Sequence, residues 1–592
     1  MANAQFLLEH GPTTGSGTVW RIVRSSFRLL WDGTGVDVHI DDELVVLVLG
    51  SVDDVRSGRV GHADASPARA WADVWRVHRS RGLDFVVGPY VVVVHEHRSD
   101  HLTVLRDVTG GRPAYLSQAG STFTAGSDLA DVSRHGRQRS PSLPWMAYYL
   151  QRELPEAVLT PFDGVDQVIP GHAASPADGA WTQVRRAALR PRRLQPVDLD
   201  AAADEVQMLL DQAVERRVRG AAKVGVALSG GIDSTNVLAA VTRVAPAASV
   251  VGLAIPFFTP AGDERADQAL VANHLDVPLD WVSVAGAGPV RGLGSSVLSG
   301  REWPPLAGNW FFQQAVARRA DELDVEVVLD GEDADSIFSG SRNYLVDLLA
   351  RGSWKQWVKA AIALRPLGLG WRWAVGYSLT GLLPPPLERR VLGTPAGWEP
   401  EPLLAADLVA ASDFRRRLRA RPVHSVWAWG RRFAAVQALG AHPDHLAFVG
   451  GETSLGSVNL RVRHEHPFLD RDLIETALGL PWWALSPPTS HKLVLRRLAR
   501  RHLPEGFASR SRKADLSEYF DAAVTGEERD LVLAGLDSAA RRVNVFTESV
   551  VARLQGAVQS HEPTLEATRA AVLALWLDGL ELEATILDTP DG

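Results

Sequence analysis

The sequence predicts two domains of different class: a mostly β first half, to about residue 190, and an α/β second half from residue 198 built on a parallel sheet and extended by helices. Three observations carry this. At 592 residues the chain exceeds what one ordinary core organises. Apolar runs punctuated by Asp-Gly and Gly-Gly fill the first half, whereas strand-like and helix-like segments alternate after Asp198. Between them lies a basic, proline-bearing stretch, RRAALRPRRLQP (185–196), which reads as a solvated linker.

Taken in order, ELVVLVLG (43–50) is a buried strand, and YVVVVHEHRSDHLTVLRDV (90–108) is two strands joined by a polar Arg-Ser-Asp turn. In DLDAAADEVQMLLDQAVERRV the residues Val206, Leu209, Leu210, Ala213, Val214 and Val218 recur at helical spacing. Strands are then expected at 223–228, 249–255, 279–284 and 325–329, with helices starting near Ser234, Asp263 and Asn309. Such alternation implies a parallel sheet covered on both faces. Beyond Asp335 the pattern is helical to the end. The most apolar stretch, WAVGYSLTGLLPPPL (373–387), is too short to span a membrane and ends in three prolines, so a buried or interfacial helix is expected.

Composition excludes several classes. A net charge of −8 offers no basic field for nucleic acid. There is no cysteine, which removes disulfides, thiolate metal sites and any cysteine nucleophile, and points to a reducing cytoplasm. The opening MANAQFLLEHGPTTG lacks the charged and apolar regions of a signal peptide.

The chemistry begins at VGVALSGGIDSTNVLAA (224–240), a strand, a Ser-Gly-Gly turn and a helix, without the Gly-Lys-Ser/Thr ending of a Walker loop. The glycines let backbone N–H groups turn inward, the helix start adds positive dipole, and the Ser229 and Ser234 hydroxyls can donate to phosphate. A turn that binds nothing is the alternative. Asp233 beside such a cradle is repulsive unless a cation lies between, and Mg2+ suits that place. A second carboxylate is then expected after another strand. VEVVLDGEDADSIF (325–338) supplies Asp330, Glu332, Asp333 and Asp335, unless these form only a solvated acidic turn.

These residues resemble the synthetase domain of the asparagine synthetase B family, whose Ser-Gly-Gly-x-Asp-Ser loop stands intact at Ser229–Ser234. GDERADQALVANHL (262–275), LDGEDADSIFSG (329–340), HPFLDRDLIETALGLP (466–481) and HKLVLRRLARRHLPEGFASRSRKADLS (491–517) resemble further landmarks of that family, in order. The resemblance implies an α/β domain of the adenine-nucleotide α-hydrolase type. In it Ser229, Gly230, Gly231, Asp233 and Ser234 bind ATP phosphates, and Asp233 and Asp335 hold Mg2+. It also puts Gly331 near the nucleoside, Leu253 or Ala254 near adenine, and Lys513 at the α-phosphate and the attacked carbonyl.

The first half resembles the class II glutamine amidotransferase domain through LRDVTGGRPAYL (105–116), TFTAGSDLADV (122–132) and VIPGH (168–172), which implies an α+β sandwich. That family's nucleophile is a cysteine exposed by removal of Met1, whereas here position 2 is Ala2. Glutamine hydrolysis is therefore not expected, and the amine must come from elsewhere. Members that keep both domains but close an amide within one molecule, the β-lactam synthetases and lasso-peptide cyclases, fit that situation. The lactam synthetases' tyrosine is replaced by Glu332, and residues 360–372 offer no partner glutamate. The closest resemblance is thus to lasso-peptide cyclases, which implies a precursor peptide as substrate, a leader-peptide protease and a leader-binding protein as partners, and Glu332 as a candidate base. Tryptophan- and arginine-rich segments at 352–379 and 423–433 suit a peptide groove, although core is the commoner place for tryptophan. Trp482 and Trp483 are assigned to core. His464 and His466 show no third ligand in range, so a metal there is not expected.

Overall fold

The computed structural model describes residues 5–10, 22–23, 27–32, 35–56, 66–136, 139–192, 198–246, 248–291, 303–305, 310–339, 344–350, 352–384, 387, 390–391, 401–420, 444–449, 460–485, 491–509, 514–562 and 565–587. Its first half is a sandwich of two antiparallel sheets. The strands in chain order are β1 (Gln5–His10), β2 (Ile22–Val23), β3 (Phe27–Asp32), β4 (Val36–Ile40), β5 (Leu44–Gly50), β6 (Asp54–Val55), β7 (Val86–Val87), β8 (Tyr90–Glu96), β9 (His101–Arg106), β10 (Tyr115–Ala119), β11 (Thr122–Gly126), β12 (Val165–Gln167), β13 (His172–Ala177) and β14 (Ala180–Arg185). One sheet runs β12-β10-β11-β1-β3-β2 and the other β14-β13-β9-β8-β5-β4.

The unbroken apolar run of β5 has a direct cause. Val45, Leu47 and Leu49 face the other sheet, packing with Phe6, Leu8 and Phe27. Leu44, Val46 and Val48 face Trp71 and Trp75 of helix α1 (Pro67–His78) on the outside. A strand buried on both faces has no polar face to alternate with. The first half is therefore not mostly β, as its sequence pattern suggested, but layered with helices on both outer faces. Helices α2 (Leu129–His135) and α3 (Leu143–Gln151) cover the first sheet. Every residue from Trp145 to Gln151 in α3 is buried, so no helical period shows in the sequence. Trp145 and Phe162 both meet Trp576 of the C-terminal helix Leu565–Leu587, at 6.2 and 5.8 Å between ring centres.

After the linker, α4 (Leu199–Val218) starts at Asp198, whose carboxylate accepts the Ala201 N–H at 2.9 Å. It buries the six residues that the spacing singles out. Five parallel strands follow: β15 (Lys223–Ala227), β16 (Ser249–Ala254), β17 (Leu279–Trp281), β18 (Val327–Leu329) and β19 (Arg463–Glu465), in the order β17-β16-β15-β18-β19. The first four lie where the sequence places strands. The fifth corrects the helical reading beyond Asp335: it is three residues of Arg-His-Glu, too short and too polar to leave a strand pattern. Helices α4, α5 (Ile232–Val244) and Leu493–His502 cover one face of the sheet. Trp310–Glu322 covers the other, with Val316 and Ala320 against Val251, Leu253 and Val328. Helix α6 (Arg265–His274) links β16 to β17.

The described part of the basic linker keeps Arg185, Arg186 and Arg190 exposed, as expected, but its backbone is strapped down. Arg190 N–H donates to Glu475 Oε1 at 3.2 Å and Arg192 N–H to the Glu475 carbonyl at 2.8 Å, while the Arg192 guanidinium pairs with Asp472. The helix at Trp371–Gly381 is interfacial, as expected: Ala374 packs with Tyr344 and Trp357, while Trp371 and Leu379 are exposed. No helix among the described residues is long and apolar enough to cross a membrane.

Candidate active site

In an open parallel sheet the strand order reverses at one point, and the crevice beyond the carboxyl ends of the strands there is where ligands bind. Here the reversal lies between β15 and β18. The loop leaving β15 carries Ser229 to Ser234, and the loop leaving β18 carries Asp330 to Asp335.

The first loop curls onto the start of α5. Ser234 Oγ accepts the Ser229 N–H at 3.2 Å and meets Ser229 Oγ at 3.1 Å, and Gly231 N–H donates to Ser229 Oγ at 3.3 Å. Gly230 has φ +76°, a conformation that favours glycine. The second loop lies directly on the first. A Cβ placed on Gly331 would fall 2.6 Å from the Ser234 nitrogen and 2.8 Å from Asp233 Cβ, so only glycine allows this approach.

Asp233 and Asp335 converge on a single cation, the Lys492 ammonium. It ion-pairs with Asp233 and stands 2.8 Å from Asp335 Oδ1. Lys492 is buried and begins the helix Leu493–His502 with φ +56°. Sequence reasoning placed it in a family-like segment but gave it no role. The available signal was composition, since it is one of only five lysines in an arginine-rich chain. Lys513 and Ala2 lie outside the described residues. Of the two residues expected near adenine, Leu253 packs its side chain into the core beneath Trp310–Glu322, and Ala254 is fully buried.

Further along the second loop, Asp330 is buried and bridges two histidines of the neighbouring strand, at 2.7 Å from His464 Nε2 and 2.8 Å from His466 Nδ1. It also accepts the Glu332 N–H at 3.0 Å. The expectation that the two histidines lack a third partner is therefore corrected, because β18 lies beside β19 and brings Asp330 within 4.8 Å of both. The trio closes on itself at hydrogen-bond distances and ties the two strand ends together. Burial alone would raise the Asp330 carboxyl, but the two imidazoles hold it well below the usual carboxylate range. Burial opposes charge on His466 too, yet Asp330 pushes it up to about 9. Glu332 sits in a crowded surround while its tip keeps contact with solvent. That crowding, with Asp330 and Asp333 as like charges, pushes it up to about 7.

A pH prediction follows from His466. Its raised value contributes stability that is full below about 6.5, the ordinary histidine value, and is lost as pH rises through about 9. Urea midpoints measured from pH 6 to 9.5 should fall across that window in the wild type and stay flatter in His466→Asn. Parallel curves would show that the pair does not set stability.

The last member of the site comes from far along the chain. His445, in the short helical segment 444–449, hydrogen-bonds through Nε2 to Asp333. Asp333 is buried, holds φ +65°, and its Oδ2 has no hydrogen-bond donor among the described residues.

Comparison with known proteins agrees with this architecture. The asparagine synthase family model matches residues 205–583, well over half the chain, and the chain belongs to that family, whose members are ATP-dependent ligases that form amides. Proteins of Mycobacterium bovis and Mycobacterium tuberculosis that carry the provisional name asparagine synthetase (glutamine-hydrolysing) are 27% identical over 333 residues, covering 51% of this chain and 46% of theirs. The chain thus spans about half the length of these relatives. A Bacillus subtilis glutamine phosphoribosylpyrophosphate amidotransferase, solved with ADP and GMP, overlays with 11% identity, covering 58% of this chain and 71% of its own, at a TM-score of 0.20. At so low a score the overlay does not inform the fold.

Proposed function

We propose that this chain is an ATP- and Mg2+-dependent macrolactam synthetase of the lasso-peptide cyclase kind, with no glutaminase activity. It would activate an Asp or Glu side chain of a precursor peptide as an acyl-adenylate and close the ring with the peptide's N-terminal amine, releasing pyrophosphate and AMP. The observation that carries the nucleotide part is the meeting of the Ser229–Ser234 loop, the Asp330–Asp335 loop and Lys492 at the reversal point of the sheet.

The residues present fit the groups that this reading requires. Gly230, Gly231 and the start of α5 form a cradle of backbone N–H groups for phosphate oxygens. Asp233 and Asp335 already share one cation, and two carboxylates beside phosphate oxygens are a donor set suited to Mg2+. Bound there, Mg2+ would supply charge neutralisation between pyrophosphate and the α-phosphorus. Lys492 would then move its ammonium to the departing pyrophosphate, and Lys513 would serve the α-phosphate side. On this reading the sheet and its loops would hold acyl carbon and amine together, which is worth several powers of ten in rate.

Two observations favour a peptide over ammonia as the amine source. The 592 residues contain no cysteine to hydrolyse glutamine. Following the second loop in the chain, the helix Trp354–Ala363 exposes Trp354, Val358 and Ile362 at four-residue spacing, and Trp371 and Leu379 add further exposed apolar surface. The tryptophan-rich stretch thus divides between core (Trp357) and surface. The segment at 423–433 lies outside the described residues, as does the Trp482 side chain, while Trp483 packs partly on the core. A leader-peptide protease and a leader-binding protein would free the amine and deliver the substrate.

The second reading is an ammonia-dependent asparagine synthetase, favoured by the names of the mycobacterial relatives. One experiment separates the two: pyrophosphate release with ATP and either leader-free peptides or aspartate plus ammonium. The expected result is release only with peptide, with a product lighter by one water. Turnover of aspartate and ammonium, with none on peptide, would replace the first reading by the second.

A further inference from the structure

Amide formation needs a base. As the amine nitrogen bonds to the acyl carbon, the bond from that carbon to the AMP oxygen breaks, its electron pair leaves on AMP, and the nitrogen must shed a proton. Sequence alone offered only Glu332 for this. We propose, resting on the amide-forming reading above, that His445, oriented by Asp333, takes that proton, and that the N-terminal domain is retained because it holds His445 in place.

The first observation is position. Asp333 lies two residues from Gly331, which touches the Ser234 nitrogen, and two from Asp335. His445 is thus bonded to the loop that lies directly on the phosphate loop. The second is the form of the pair. A carboxylate on one imidazole nitrogen keeps that nitrogen protonated and leaves the other as the basic one. With the Asp333 carboxyl on Nε2, that nitrogen is assigned the hydrogen and Nδ1 is left as the acceptor, a tautomer assigned from the partner. The left-handed backbone at Asp333 is strained for a non-glycine residue. That strain, at the turn between β18 and the helix Ala334–Phe338, points the carboxylate away from the helix it begins and toward His445.

The third observation is the grip on the histidine's segment. Asp444 Oδ1 accepts the Ala157 N–H at 2.7 Å, and Gln167 Nε2 donates to the Ala447 carbonyl at 3.2 Å. Gly110, at φ +66°, passes so close to the Leu446 carbonyl that a Cβ there would lie 2.9 Å from its oxygen. Residues on both sides of His445 are thus fixed by loops of the first sheet and by the turn after β9. The carboxyls facing His445 are Asp333 and Glu332, and they outweigh its burial and raise it above the ordinary histidine range. Ring closure by neutral imidazole therefore rises with pH through that raised value.

The test separates the two half-reactions. Wild type, His445→Gln and Asp333→Asn are given ATP, Mg2+ and a panel of synthetic peptides, each with a free N-terminal amine and one Asp or Glu. Peptide-dependent pyrophosphate release and hydroxamate formation with added hydroxylamine report adenylation, and mass spectrometry reports the ring. In His445→Gln the ring rate should fall at least 100-fold, within the usual range for loss of a general base, while hydroxamate persists within about threefold. In Asp333→Asn the acidic limb of the ring-closure profile should move to lower pH, because one of the two carboxylates raising the imidazole is gone. Ring closure at wild-type rate in folded His445→Gln, or an equal fall in hydroxamate, would overturn the proposal. If Gln does not fold, judged by circular dichroism, His445→Asn takes its place under the same criteria. Wild type that releases no pyrophosphate with any peptide but turns over aspartate and ammonium defeats the macrolactam reading instead, and His445→Gln is then scored on asparagine formation in the same way.

Discussion

Asp335→Asn is expected to abolish peptide-dependent pyrophosphate release, by about 1,000-fold or more, and to leave the fold unchanged. The size follows from the chemistry. On the proposed reading, removing one of the two carboxylates that would hold Mg2+ takes away several kcal/mol of charge stabilisation where the α-phosphorus would be attacked, and each 1.36 kcal/mol is about tenfold in rate. The fold should survive because the Asp335 side chain is more than half exposed and its ion pair is with Lys492, itself part of the site. Asparagine keeps the shape, and Ser339 Oγ, which donates to Asp335 Oδ1 at 3.2 Å, can donate equally to the amide oxygen. The check is pyrophosphate release beside the melting temperature. Release within a few fold of wild type would remove Asp335 from the metal site, and a melting temperature lower by more than about 3 °C would make the loss structural.

The sequence made the scaffold of this site legible because strands buried on both faces and an amphipathic helix leave periodic traces. Val206 to Val218 and the strands at 223, 249 and 327 are such traces. The two loops were legible for another reason, since Ser-Gly-Gly followed by Asp, and an acidic cluster after a strand, are locally unusual. What escaped is what depends on pairing across the chain. β19 is three polar residues and becomes a strand only because β18 lies beside it. Asp330, His464 and His466 are more than 130 residues apart in sequence across that pair, so neither half announces the other. His445 and Asp333 are likewise separated by 112 residues. Within LRDVTGGRPAYL the resemblance implied fold rather than chemistry. Its Arg106 is wholly buried and donates to the Val168 and Gly110 carbonyls, while Asp107 accepts from Tyr90, Thr109 and Gly111 N–H groups. That segment builds the turn that meets the helical segment 444–449, which is a structural role.

Lys492→Met should show the second large effect, and in two measurements of opposite sense. With nucleotide absent, the ammonium is the cation shared by Asp233 and Asp335, so it occupies the place that the reading gives to Mg2+. Methionine fills much the same volume without charge and removes the cation that the two carboxylates share. Losing one partner of a buried pair costs several kcal/mol, and exposure of Asp335 reduces that here to about 2 kcal/mol. The melting temperature of the ligand-free variant should therefore fall by several degrees. Millimolar Mg2+ alone should then restore more of it than in wild type, where the cation must first displace lysine. Catalysis moves the other way. On the proposed reading the wild-type ammonium would be released to meet pyrophosphate when Mg2+ and ATP are present, which methionine cannot do, so pyrophosphate release should fall about 100-fold. Thermal shift against Mg2+ concentration, read beside the release rate, distinguishes this exchange from a merely structural lysine. A structural lysine would lower stability without creating a Mg2+ response, and that outcome would sink the exchange.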